Sequence, residues 1–307
     1  MAEKYPGSVT GLRLITGKGG VGKTTVASAL ALHAAGRGER VLLVSTDPTG
    51  ALGQIFPGVT DGARMVARGL EAVELTRRVV LDRWRERFGE EIYQVLRSLL
   101  PVERDVLDYL EGVPGLEEEF LLSYLLDALD SERYDRVVWD AAPTAGTLAL
   151  LEAQALFYDH LTQAHRLYLK LQGYLKGADP TPLIEGWRAL TGRILTMLRE
   201  RTRAWVVAQP ERLPVVQGLE LMAALDRFGI ALERAVLNRV LPEDACPGCA
   251  FYAAKVREQR VWARRWREES PAPVRELPEF AAAPLDPRAL DEVARRLVQA
   301  PNGDSHA

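Results

Sequence analysis

Residues 17–25 read Gly17-Lys18-Gly19-Gly20-Val21-Gly22-Lys23-Thr24-Thr25, a complete G-x-x-x-x-G-K-[ST] pattern with a second lysine one position after the first glycine. Ahead of it, Leu12-Arg13-Leu14-Ile15 is a short apolar run of strand type. Behind it, Thr24 to Ala35 is helix-compatible until Gly36 and Gly38. In a strand–glycine loop–helix order, backbone N–H groups can wrap a phosphate chain at the positive end of a helix. The pattern predicts a nucleotide site in which Gly17 to Thr25 cradle the phosphates. Lys23 neutralises the β and γ groups there, and Thr24 offers its hydroxyl to Mg²⁺.

The rest of the chain extends this unit. Apolar runs of strand length recur at Arg40 to Asp47, Arg136 to Asp140, Ala204 to Ala208, Ala235 to Asn238 and Val274 to Leu277, with helix-compatible sequence between them. Continuous rather than alternating apolar runs joined by helices predict strands buried on both faces of a mostly parallel sheet, an α/β fold of the P-loop NTPase kind. Function then belongs at the carboxyl ends of the strands, and Lys23, Asp47, Asp140 and Asn238 all fall at or just after such ends. Two stretches, 64–129 and 148–201, break the alternation and read as helices. Their apolar positions include Val95, Leu96, Leu99, Leu100, Val102, Val106, Leu107 and Leu110 in the first, and Leu156, Leu161, Tyr168, Leu171 and Leu175 in the second. They predict a helical subdomain over one edge of the sheet within one elaborated domain spanning 1–307.

Charge and composition exclude several classes. There are 39 Lys+Arg against 42 Asp+Glu, a formal net charge of −3, and no polybasic block, so a nucleic-acid partner is not expected. No apolar run reaches the roughly 18 residues of a membrane span. The N-terminal stretch lacks a signal-peptide core, which predicts a cytoplasmic protein. Six of the 39 basic residues are lysine and the other 33 arginine, yet two of the six lysines stand in the one glycine loop. Where arginine has so largely displaced lysine, Lys18 and Lys23 are there for their chemistry.

Two acidic segments complete the site. Ser45-Thr46-Asp47-Pro48 brings a carboxylate within reach of water near the γ-phosphate, and phosphoryl transfer uses such a group to orient the attacking water. Val137-Val138-Trp139 delivers Asp140 beside the loop, where it can hold Mg²⁺ through water.

The G-K-G-G-V-G-K-T-T loop resembles that of the deviant P-loop ATPases, which include MinD and ParA proteins, the nitrogenase iron protein, and the arsenite-pump and tail-anchored-protein-targeting ATPases. In that class the extra lysine crosses a dimer interface to the phosphates of the other subunit, so the resemblance implies a homodimer with Lys18 as a catalytic residue. Asp140-Ala141-Ala142-Pro143-Thr144-Ala145-Gly146-Thr147 resembles the D-T-A-P-T-G-H-T element of the arsenite-pump and targeting ATPases, and Ser45 to Phe56 resembles their first switch. Gln209-Pro210-Glu211 is similar to a further family element. The resemblance also implies that Asn238, in Leu237-Asn238-Arg239-Val240-Leu241-Pro242, contacts adenine and that Pro278 closes the other side of the base. Gly50, Gln54, Ala145 and Gly146 depart from the family pattern at positions that couple nucleotide state to the client, so hydrolysis carries over more directly than regulation does.

Cys246-Pro247-Gly248-Cys249 holds both cysteines of the chain. Two thiols cannot complete a tetrahedral zinc site, whereas a twofold dimer supplies four, and targeting members of the family resemble this arrangement. A redox pair and two inert thiols are the alternatives; an intervening Leu241 to Asp244 loop, rather than a helix opened directly, speaks against a thioredoxin-like pair. The expected function is a cytoplasmic dimeric Mg-ATPase that couples closure to binding of a hydrophobic membrane-protein segment. The alternatives are the ATPase subunit of an arsenite or anion efflux pump, for which two cysteines make a poor metalloid site, and a MinD- or ParA-like positioning switch.

Overall fold

The computed structural model of the chain describes residues 11–47, 49–99, 103–105, 116–171 and 179–298. Its eight strands are β1 (Gly11–Gly17), β2 (Val41–Ser45), β3 (Arg64–Ala67), β4 (Leu70–Glu74), β5 (Arg136–Asp140), β6 (Thr202–Ala208), β7 (Ala231–Val240) and β8 (Val274–Pro278). They form one sheet in the order β3-β4-β2-β5-β1-β6-β7-β8. Every neighbouring pair is parallel except β3 with β4. The order reverses at β1, with β5 on one side and β6 on the other, so the loop after β1 opens at the switch point where ligands of such sheets sit.

Nine described α-helices cover the sheet: α1 (Lys23–Gly36), α2 (Ala51–Ile55), α3 (Arg77–Leu99), α4 (Leu116–Asp130), α5 (Thr144–Leu171), α6 (Thr181–Thr196), α7 (Arg212–Arg227), α8 (Ala250–Glu269) and α9 (Pro287–Val298). The central strands β2, β5 and β6 are largely buried on both faces, as their apolar runs predict, whereas the edge strands β3 and β8 are mostly half-buried or exposed. On β5, Val138 packs with α1 and α9, while Val137 and Trp139 pack on the opposite side with α3 to α8. The helices of the two irregular stretches share that second core with the sheet. An aromatic cluster ties four of them together: Trp84 and Phe88 of α3, Phe120 of α4, Phe157 of α5 and Trp187 of α6, with ring centroids 5.3–6.3 Å apart. Among the described residues of α3 to α6, Leu156 is the one large apolar side chain left exposed.

One expectation is corrected. Residues 64–74, read as the start of a helical stretch, are the hairpin β3–β4. Leu70, Ala72 and Val73 are fully buried beside β2, and Gly69, at φ +80°, makes the turn. Tertiary pairing with β2 overrides a weak local signal here. Of the apolar positions assigned to the helical stretches, 100, 102, 106, 107, 110 and 175 lie outside the described residues.

Candidate functional site

Backbone geometry builds the cradle first. Gly17 sits at φ +150° with the position of a Cβ only 2.1 Å from the carbonyl oxygen of Val207, so β1 can turn into the loop against β6 only without a side chain. Gly22, at φ +99°, caps α1 and lies against Asn238. The Asn238 amide donates to the Val21 carbonyl at 2.8 Å, and the Gln209 amide donates to the Gly20 carbonyl at 3.1 Å. The loop is therefore clamped from behind by β7 and by the end of β6, while Gly19 and Gly20 face solvent.

The expected residues converge on this loop. Thr24 Oγ1 donates to Asp140 Oδ2 at 2.8 Å, and Ser45 Oγ donates to the same oxygen at 3.0 Å. Asp140 is fully buried and its Oδ1 has no hydrogen-bond partner among the described residues. Burial is the chief cause that pushes its carboxyl up to about 6, against the opposing pull of Thr24, Ser45 and Lys23. A buried carboxylate oxygen with open lone pairs next to a threonine hydroxyl is a donor set that suits a small hard dication with its waters, so the residues present fit Mg²⁺. Lys23 Nζ lies 3.6 Å from Asp47 Oδ2 and 3.4 Å from the Lys18 carbonyl, and both partners of the ion pair are nearly covered. Asp47 Oδ1 also accepts from the Thr49 N–H at 3.1 Å, which fixes the turn after β2. The Lys18 ammonium makes no hydrogen bond or ion pair among the described residues.

Asn238 and Pro278 lie on β7 and β8, and the Cys pair follows β7. Asn238 uses its amide on Val21 and its Oδ1 on the Arg239 N–H at 3.0 Å, behind the loop. Pro278 pairs in register with Val240, so both lie at the adjacent carboxyl ends of β7 and β8. The Cys pair does open a helix: Cys249 is the N-cap of α8, its Sγ accepts from the Tyr252 N–H at 3.4 Å, and that backbone bond is the chief cause lowering its pKa. Gly248, at φ +80°, lets the chain turn directly into the cap.

Three hydroxyl residues escaped the sequence reading. Ser45 bonds Asp140, and Thr16 Oγ1 lies 3.1 Å from Thr147 Oγ1, which also donates to the Ala142 carbonyl at 2.9 Å. For Thr16 and Ser45 the available signal was a lone hydroxyl at the end of an otherwise apolar strand.

A glycine cradle at the switch point, a lysine and a threonine on its helix, and two carboxylates from neighbouring strand ends define a P-loop ATPase. The chain belongs to the anion-transporting ATPase family, whose model matches residues 11–298. It is 30% identical to Protein Rv2184c of Mycobacterium tuberculosis, over 95% of this chain and 77% of the relative. It is 26% identical to ATPase GET3B of Arabidopsis thaliana, over 87% and 73% of the two chains. To an Arsenical pump-driving ATPase of Acidiphilium multivorum it is 31% identical over 86% of this chain but 44% of that protein. The protein is an ATP-hydrolysing enzyme of this family. No helix among the described residues is long and apolar enough to cross a membrane.

Proposed function

We propose that the protein is a cytoplasmic homodimeric ATPase in which two facing subunits complete each other's site, and that closure of the dimer governs binding of a hydrophobic membrane-protein segment. Lys23 neutralises the β and γ phosphates, Asp47 orients the attacking water, and Lys18 reaches the phosphates held by the partner. Thr24 and, through water, Asp140 would hold Mg²⁺, which when bound would supply neutralisation of charge on the phosphates. Asn238 and Pro278 flank the adenine.

The observation that carries this reading is the Lys18 ammonium. Lys23 and Thr24 of the same loop are engaged by Asp47 and Asp140, whereas the Lys18 ammonium lacks a partner among the described residues and sits beside the two exposed glycines. A lysine aimed at its own phosphates would duplicate Lys23. Cys246 and Cys249 from both chains supply four thiolates for one shared zinc, and metal analysis of reduced protein is expected to find about one zinc per two chains; a full equivalent per chain, or none, removes the zinc.

The client is tested with a fluorescent apolar helical peptide and wild-type or Lys18→Ala protein, in ATP or ADP. Binding that changes with nucleotide in wild type and not in Lys18→Ala is expected, because a ligand shifts an equilibrium only through differential affinity for its two states. Binding indifferent to both rejects the client cycle. The second reading, an ATPase subunit driving an anion efflux pump, is favoured by the name of the Acidiphilium relative, and it predicts turnover stimulated by arsenite instead.

A further inference from the structure

The helical layer contains a buried carboxylate that the ATP site does not use. Glu119 of α4 is 2% exposed, and its partners Gln154 of α5 and Thr191 of α6 are fully buried. Thr191 Oγ1 donates to Glu119 Oε1 at 2.8 Å. The Gln154 amide nitrogen donates to Glu119 Oε2 while its oxygen accepts from the Glu119 N–H at 3.3 Å, the orientation that satisfies both groups. Three helices meet at this one carboxylate.

The same helix also touches the nucleotide site. Thr147, in the first turn of α5, lies 3.1 Å from Thr16 on the strand that becomes the P-loop, and it donates to the carbonyl of Ala142, two residues after Asp140. Thr147 and Gln154 are seven residues apart, two helical turns, so they share one face of α5 about 10 Å from each other. One face of a single helix thus carries a buried polar contact to the cradle at one end and a buried polar contact to α4 and α6 at the other. Packing alone does not call for the second contact. A carboxylate in an apolar layer is costly, and a hydrophobic side chain of similar volume at this position would hold the helices at least as firmly. What the hydrogen bonds add is a fixed register of α5 against α4 and α6.

We propose that Glu119 and Gln154 are positioning residues for ATP hydrolysis, acting through α5 on the segment from Asp140 to Thr147. The inference rests on the ATPase assignment and not on the identity of the client. When α5 shifts with nucleotide, the clasp carries α4 and α6 with it; when the clasp is broken, Ala142 and Thr147 lose their fixed register beside the cradle.

Exchange of the two side chains tests this. In Glu119→Gln the new amide accepts from Gln154 through its oxygen and donates to Thr191 Oγ1 through its nitrogen. The Thr191 proton goes to the Trp187 carbonyl 2.9 Å away, so the clasp is kept. In Gln154→Leu the α5 half of the clasp is removed, and in Gln154→Glu two carboxylates meet. In the double exchange Glu119→Gln/Gln154→Glu, the amide now on α4 donates to the carboxylate now on α5, whose other oxygen accepts the backbone N–H of position 119, so the clasp between the two helices is restored. Steady-state ATP hydrolysis without any client is expected to show kcat down about tenfold in Gln154→Leu and Gln154→Glu, a coupling of ordinary size, with KM for ATP within about twofold, and kcat near wild type in Glu119→Gln. The double exchange returns kcat to within about threefold of wild type. Thermal melts confirm that each variant is folded; if Gln154→Glu does not fold, Gln154→Leu and the double exchange carry the comparison. Wild-type kcat in folded Gln154→Leu, or a defect of Gln154→Glu that the folded double exchange does not relieve, overturns the proposal. A failed client assay leaves this readout untouched, whereas a wild-type protein without ATP turnover overturns both readings.

Discussion

Asp47→Asn is expected to lower ATP turnover by about 10²-fold or more, the usual worth of a positioned acid or base, while Mg-ATP binding survives. The local structure explains why the two effects separate. Asp47 Oδ1 accepts from the Thr49 N–H and its own N–H donates to Ser45 Oγ at 3.4 Å, bonds that asparagine can keep through its carbonyl oxygen and its backbone. What it loses is the charge opposite Lys23 and the ability to accept a proton from water. Phosphate release under saturating ATP, with a nucleotide titration alongside, measures both; wild-type turnover in the variant removes Asp47 from the reaction.

Glu119→Gln is expected to become progressively more stable relative to wild type as pH rises from about 4.5 to 8, by about 3 kcal/mol in total, since each tenfold change in proton affinity corresponds to about 1.4 kcal/mol. Burial pushes the Glu119 carboxyl up from 4.5 to about 7, and the Thr191 hydroxyl opposes this only in part. The folded state therefore binds the proton more tightly than the unfolded chain does. The contribution is most favourable below the unfolded value and is lost as pH rises through the folded one. The neutral amide of glutamine has no such dependence, and Asp140, which titrates in both proteins, cancels in the difference. Urea unfolding of both proteins across that window reads the change directly; a pH-independent difference contradicts the burial of an ionisable group at this position.

The parts legible in the sequence share a physical cause. Strands β2 and β5 and the middle of β6 and β7 are buried on both faces and so appear as apolar runs, and the residues that meet at the cradle stand at or near strand ends, where Thr24 reaches Asp140 and Lys23 reaches Asp47. The hairpin β3–β4 was missed because β3 is a four-residue edge strand with Met65 58% exposed, and only Gly69 marks its turn. Single hydroxyls such as Thr16 and Thr147 carry no periodicity, and their meaning arises only when β1 and α5 are brought together. The Cys249 cap was missed for a related reason: cysteine is not among the side chains that advertise a helix start. Glu119 escaped too, since a lone glutamate beside Glu117 and Glu118 reads as a solvated helix face until α5 and α6 close over it.

Mixing Lys18→Ala protein with Asp47→Asn protein tests the central claim, that each site is built from two chains. Each variant alone is expected to be nearly inactive. In a mixed dimer, the subunit carrying Lys18→Ala keeps its own Asp47 and receives Lys18 from its partner, so one of the two sites is whole. With free exchange of subunits about half the dimers are mixed, and the mixture should regain about a quarter of wild-type turnover. No recovery in a mixture shown to exchange subunits would mean that Lys18 acts within its own chain, and the dimeric account would fail.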